Sequence, residues 1–126
     1  MKISLFMLLV AGLMPVVCAG IAKSGFKGYD NHYPRNWLRE QTGWRARADA
    51  AQHNSLEAFP FFAAAVLSAW HAGVGVDTVN ALSVLFVLAR VAYVWAYITD
   101  RASIRSLVWS VGYLTVVALF VLALLA

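Results

Sequence analysis

Three polar residues in the middle of the chain have the types and the spacing to form a binding site. Arg47, Asn54 and Glu57 are separated by seven and three residues. Because an α-helix turns by about 100° per residue, this spacing places the three side chains on one helix face. Ionisable groups within apolar helices are costly and by default mark a function, so this face is predicted to point into a helix bundle.

A second polar face follows in the next apolar stretch. Arg90, Tyr93, Tyr97 and Arg101 are separated by three, four and four residues, which again corresponds to one face of a helix. Two interpretations remain open. Glu57 and Arg90 either pair across helices in a structural hydrogen-bond network, or the excess of arginine forms a pocket for an anionic polar ligand.

Arg105 lies at the predicted beginning of the last helix. Unpaired backbone N–H groups and the helix dipole favour negative charge there, so Arg105 could hold a thiolate or a carboxylate. The alternative is a positively charged anchor at the membrane surface. No spacing typical of a metal site, a Ser-His-Asp set or a phosphate-binding glycine loop is present in the sequence.

The composition indicates an integral membrane protein with a single domain, residues 1–126. Of the 126 residues, 62% are hydrophobic and only 13% are charged, against roughly 25% charged in soluble domains. The mean hydropathy is +0.70. Cys18 is the only cysteine, which excludes an intrachain disulfide and a thiolate zinc cluster.

Four stretches are predicted to cross the membrane, because about 20 residues of helix span the hydrocarbon core. The predicted spans are 3–22, 48–72, 78–99 and 106–126. The first stretch has an alternative interpretation as a secretory signal peptide cleaved after Ala19. Its apolar run is longer than the usual 7 to 15 residues of a signal peptide, which favours the span.

Charge in the loops predicts the orientation. Most Lys and Arg residues lie in two segments, 23–47 and 100–105. The positive-inside rule places these segments in the cytoplasm and both termini on the other side. The basic charge then reflects topology and contact with anionic lipid, with no nucleic acid as partner. The five tryptophans are predicted to be interfacial anchors.

Two motifs resemble a known family. Residues 52–62, QHNSLEAFPFF, resemble the second-helix signature of the MAPEG family, the membrane-associated proteins in eicosanoid and glutathione metabolism. Residues 89–93, ARVAY, with Tyr97 and residues 101–106, RASIRS, resemble the third helix and the following turn of that family. The resemblance covers residues 44 to 113 and is strongest to an uncharacterised bacterial branch, whose members carry a loop like Gly28 to His32.

The resemblance implies an all-α, up-and-down bundle of four transmembrane helices that forms a homotrimer, in a bacterial inner membrane. It also implies that glutathione binds between subunits near the cytoplasmic side, while a lipophilic second substrate arrives from the bilayer. Arg105 corresponds to the proposed thiolate stabiliser, because a fixed cation lowers the pKa of a thiol. The other residues implied to contact glutathione are Gln52, Asn54, Glu57, Arg90, Tyr93 and Tyr97.

One position departs from the family pattern. Family enzymes usually carry an arginine four residues before the asparagine, and this chain has Ala50 there. Arg47 lies nearly one turn earlier on the same side and is an alternative contact for a carboxylate. Whether Arg101 or Arg105 faces a thiol is left open by the length of the turn between Tyr97 and the last helix.

Two functions follow as hypotheses. The first is a glutathione-dependent transferase or peroxidase acting on an electrophilic or hydroperoxide lipid, with Tyr93 or Tyr97 assisting Arg105. The second is a non-catalytic trimeric scaffold or small-anion-binding protein, which Ala50 favours. A transporter is disfavoured because the first and last stretches lack a polar path. The second substrate, and whether the thiol is glutathione or another, stay open.

Overall fold

A computed structural model describes residues 1–25 and 29–126, and within these ranges the chain is helical with no strand. This confirms the prediction of an all-α protein. Lys27 and Gly28 of the basic loop lie outside the described residues. The helices are α1 (Lys2–Lys23), α2 (Pro34–Arg39), α3 (Gly43–Ala72), α4 (Val76–Ile98) and α5 (Ala102–Leu125).

Three of these helices, α1, α4 and α5, are long and apolar enough to cross a membrane. They contain 22, 23 and 24 residues, and about 20 residues suffice for the hydrocarbon core. The fourth long helix, α3, has 30 residues but is more polar in its first half. The short helix α2 was not predicted; Pro34 opens it, at the position where a missing N–H is harmless.

Two arginines at the beginning of α3 hold the ends of two other helices. Arg45 Nη1 donates a hydrogen bond to the Ala22 carbonyl at the end of α1, at 3.0 Å. Arg47 Nε donates to the Ile98 carbonyl at the end of α4, also at 3.0 Å. The last carbonyls of a helix lack partners within it, so these donors stabilise both ends. The contacts also show that α3 runs antiparallel to α1 and α4.

The long helices pack around a small core of aromatic and small residues. Helix α1 packs against α3 and α4, and α5 packs against the same two helices. Phe62 of α3 stacks on Phe86 of α4 with ring centroids 3.9 Å apart. A Cβ added at Gly112 of α5 would lie 3.7 Å from Phe86 and from Ala89. The segments joining α1 to α3 and α4 to α5 therefore lie at one end of the bundle, called here the polar end.

The turn from α4 to α5 decides where α5 begins. Asp100 has a φ of 60° and is the one non-glycine residue with positive φ among residues 1–25 and 29–126. The Arg101 N–H donates to the Ala96 carbonyl at 2.8 Å, which closes α4 with a left-handed residue. Helix α5 starts directly afterwards, so Arg105 lies in its first turn.

Replacing Asp100 by glycine should raise the free energy of unfolding by up to about 1 kcal/mol. The left-handed conformation costs an L-residue roughly 1–2 kcal/mol, and glycine avoids this cost. Glycine loses more chain entropy on folding, which offsets part of the gain in stability. Thermal unfolding in detergent measures the change. Asp100→Val is the matched variant and should lower stability, because a β-branched residue is strained at positive φ. A destabilised Asp100→Gly protein would contradict the assignment of strain to this turn.

The first turn of α1 is capped by a side chain from α4. The Ser4 N–H donates to Asn80 Oδ1 at 3.0 Å, whereas the N-terminal residue Met1 provides no side-chain cap. Loss of a cap typically costs about 1 kcal/mol. Asn80→Ala should therefore lower the unfolding temperature measurably, and Thr78→Ala, an exposed position in the same turn of α4, should not. Equal unfolding of both variants would show that the cap contributes nothing.

Candidate functional site

A column of two arginine and two tyrosine side chains extends along α4 to the beginning of α5, toward the polar end. The guanidinium carbon of Arg90 lies 4.2 Å from the ring centroid of Tyr93. The rings of Tyr93 and Tyr97 are 5.6 Å apart and almost perpendicular, and the guanidinium carbon of Arg105 lies 4.5 Å from the Tyr97 ring. The spacing on α4 and the early start of α5 bring these four predicted site residues together.

Arg90 is a buried cation with no carboxylate beside it. Only 4% of the residue is exposed, and Nη2 lies 3.4 Å from the Ser55 hydroxyl. Glu57 does not pair with Arg90, so the interpretation of an ion pair between them is wrong within this chain. In the described part of the chain the only basic and acidic side chains at salt-bridge distance are His53 and Asp49, at 3.6 Å. The charge of Arg90 is therefore free to attract an anion.

A cavity of about 170 Å³ opens beside Arg90. Two other predicted residues, Asn54 and Glu57, contribute to its polar wall. The oxygen Oδ1 of Asn54 is buried and has no hydrogen-bond donor among the described residues. Typical ligand pockets hold roughly 300–1,000 Å³, so this cavity encloses only part of a ligand. The remaining lining residues are Ala58, Phe61, Phe86, Trp109, Tyr113 and Val116.

Aromatic residues that were not predicted as site residues form the apolar wall of the cavity. Trp109 and Tyr113 of α5 stack with ring centroids 5.1 Å apart. Phe61 of α3 lies 5.7 Å from Tyr113 and 5.2 Å from Phe120. The sequence alone predicts Trp109 only as a membrane anchor. The available signal was spacing: Trp109 precedes Tyr113 by four residues, and Phe61 follows Glu57 by four, which places each pair on one face.

Arg101 lies away from the column. It is exposed at the position before α5, and its guanidinium carbon lies 5.0 Å from the ring of Trp95. Trp95 is two residues from both Tyr93 and Tyr97, which is about 200° around α4. Of the two arginines left open by the sequence, only Arg105 therefore shares the face with the tyrosines.

Two further predicted residues also lie outside the cavity wall. Arg47 donates its Nε–H to the end of α4. Gln52 is two positions from Asn54, about 200° around α3, and its Oε1 is buried without a donor from the described residues. No three His, Cys, Asp or Glu side chains within residues 1–25 and 29–126 lie close enough to hold a metal ion.

Comparison with known proteins assigns the chain to a family. The sequence pattern of the MAPEG family matches residues 3–125, nearly the whole chain. No curated protein and no solved structure matches significantly. The match agrees with the motifs at residues 52–62 and 89–106, and with three helices able to cross a membrane. The chain is an integral membrane protein and belongs to the MAPEG family.

Proposed function

We propose that this protein is a glutathione-dependent enzyme acting on lipophilic electrophiles or hydroperoxides. Membership of the MAPEG family indicates a membrane protein of the glutathione and eicosanoid type. The observation that carries the finer proposal is the column formed by Arg90, Tyr93, Tyr97 and Arg105. It brings two cations, neither of which has an ion-pair partner among the described residues, together with two hydroxyl groups where α5 begins beside α4. These groups lie beside a cavity that is polar on one side and aromatic on the other.

The groups in the cavity match the charges of glutathione. The tripeptide carries two carboxylates, one ammonium group and two amide bonds. Arg90 suits a carboxylate, because a guanidinium offers two parallel N–H donors. Glu57 suits the ammonium group. The oxygen of Asn54, which has no donor among the described residues, suits a peptide N–H. Gln52 and Arg47 lie outside the cavity wall, so they would contact only those parts of the peptide that extend beyond the cavity.

Arg105 is proposed to stabilise the thiolate. A fixed cation favours the ionised sulfur and so raises the fraction of nucleophile at neutral pH. The hydroxyls of Tyr93 and Tyr97 can donate hydrogen bonds to the sulfur or to the acceptor. With an electrophile, a carbon–sulfur bond forms and the displaced group leaves. With a hydroperoxide, the sulfur takes the outer oxygen and releases an alcohol, and a second glutathione then yields the disulfide and water.

The exposed face of α3 supports the proposal of a homotrimer with four spans. The side chain of His53 is 65% exposed, and Glu57 is also exposed. Ser55 lies between these two residues in α3 and is at the level of Arg90. Arg90 is eight residues, or about 12 Å, from the C-terminal end of α4. Ionisable side chains at such depth face protein rather than lipid. We therefore infer that α3 crosses the membrane as the fourth span and that this face meets other subunits, which also complete the small cavity.

The orientation proposed from the loop charges fits this arrangement. The polar end, where the basic segments 23–47 and 100–105 lie, would face the cytoplasm of a bacterium, and both termini would lie outside. Glutathione is a cytoplasmic thiol, so the column would open toward its source. A lipophilic acceptor would enter from the bilayer along Trp109 and Tyr113, which are 41% and 47% exposed.

The alternative function is a non-catalytic trimeric scaffold or a small-anion-binding protein. Ala50 cannot provide the arginine contact that family enzymes usually have. Arg47, the candidate replacement, donates one of its N–H groups to Ile98 and so serves the fold. These two observations favour a site that binds an anion through Arg90 without activating a thiol.

Glutathione binding to the purified protein separates the two functions. Calorimetry should show binding, and ultraviolet difference absorbance should show a thiolate in the wild-type protein. Arg105→Ala should reduce the thiolate signal by about tenfold or more, because an adjacent cation typically shifts a pKa by 1–3. Arg101→Ala is the matched control and should keep the signal, since Arg101 lies over Trp95. No binding at millimolar glutathione would refute the enzyme and favour the scaffold.

The assembly can be tested separately. Native mass spectrometry should give three times the chain mass of 13.8 kDa. Ala64 follows Glu57 by seven residues and lies on the same exposed face of α3. Ala64→Trp should dissociate the trimer by steric overlap. Leu88→Trp, at a 61% exposed position of α4, should leave it intact. A monomeric wild-type protein, or a trimeric Ala64→Trp variant, would contradict this interface.

A further inference from the structure

Helix α2 forms a surface at the polar end that the proposed reaction does not use. Leu38 of α2 is 6% exposed and packs with Ala22 and Ala48. Trp37 of the same helix is partly buried against this cluster, together with Ile98. The inner side of α2 is thus fixed to the ends of α1 and α4 and to the beginning of α3.

These contacts place α2 at the level where the apolar helices end. Ala22 and Ile98 lie in the last turns of α1 and α4, both of which can cross a membrane. Tyr33 is 65% exposed and Trp44 is 40% exposed, on either side of α2. Tyrosine and tryptophan are enriched at the boundary between hydrocarbon and headgroups. The surface around α2 therefore lies in the headgroup region of the bilayer.

The outer side of α2 carries two arginines. Arg35 and Arg39 are both exposed and are four residues apart, so they lie on one face of the helix. Neither forms an ion pair or a hydrogen bond within the described part of the chain. Arg45 differs, because its guanidinium lies 4.5 Å from the ring of Trp44 and donates to the end of α1. Two guanidinium groups thus face the headgroup region, and their donors have no partner among the described residues.

We propose that Arg35 and Arg39 bind the phosphate of an anionic phospholipid, with Trp44 and Tyr33 against the glycerol region. Guanidinium groups bind phosphate through two parallel hydrogen bonds, and basic residues near a membrane surface attract anionic lipid. The aromatic neighbours favour a lipid over a soluble anion, because their rings can pack against an apolar group next to the charged phosphate, which a soluble anion lacks. This surface is separate from the column on α4, so lipid binding is independent of glutathione chemistry.

The test compares lipids on the purified protein. Native mass spectrometry would follow binding of phosphatidylglycerol and of phosphatidylcholine to the wild type and to the Arg35→Gln/Arg39→Gln double variant. Each arginine contributes about fivefold in affinity for an anionic surface, so the double variant should bind phosphatidylglycerol about 25-fold more weakly. Lys2→Gln removes one exposed charge at the opposite end of α1 and should leave binding unchanged. Circular dichroism confirms that the variants remain helical.

Four outcomes would overturn the proposal. The first is equal binding of phosphatidylglycerol by the double variant and the wild type. The second is a wild type that does not prefer phosphatidylglycerol over phosphatidylcholine. The third is displacement of the lipid by an equal concentration of inorganic phosphate, which would show a site for the free anion. Loss of binding in Lys2→Gln as well would indicate a general charge effect and would equally refute a site on α2.

Discussion

A buried guanidinium without a carboxylate is the constraint around which this bundle is arranged. Removing a charge from water is expensive, and the cost falls when polar and π groups surround it. Arg90 has the Ser55 hydroxyl on one side and the Tyr93 ring on another. The cavity beside it leaves room for an anion to complete the set. Helices α3, α4 and α5 supply these groups and the walls of the cavity around Arg90.

The ends of the helices keep that arrangement in register. Arg45 and Arg47 tie the beginning of α3 to the last carbonyls of α1 and α4, so α3 cannot slide along its neighbours without losing both bonds. The left-handed Asp100 ends α4 abruptly, and α5 therefore starts with Arg105 beside Tyr97. The arginine and tyrosine column therefore depends on hydrogen bonds and backbone conformation at the ends of the helices.

Spacing along one helix predicted part of the site, because helical period is a local property. It placed Arg90, Tyr93 and Tyr97 on one face correctly. It wrongly added Arg101 to that face, and it could not choose between Arg101 and Arg105. That choice depends on the turn at Asp100, whose left-handed backbone has no clear signal in an aspartate. The part of the cavity wall that α5 contributes was also not predicted. An apolar helix has no polar face, so its sequence does not indicate which side faces the bundle. Helix α2 was not predicted because six residues are too few to show a periodic hydrophobic pattern.

The free-energy cost of burying the charge of Arg90 also helps to distinguish the two candidate functions. In a bundle that served only as a scaffold, an apolar residue of similar size at position 90 would pack without the desolvation penalty of a charge. An unpaired cation beside a cavity is therefore costly to stability, and this cost favours the proposal that Arg90 binds an anion. The cavity is too small to enclose a tripeptide, so glutathione would also need surfaces from a second subunit. Binding of glutathione would therefore depend on assembly of the oligomer. The exposed polar face of α3, with His53 and Glu57, provides a reason for such a subunit to be there.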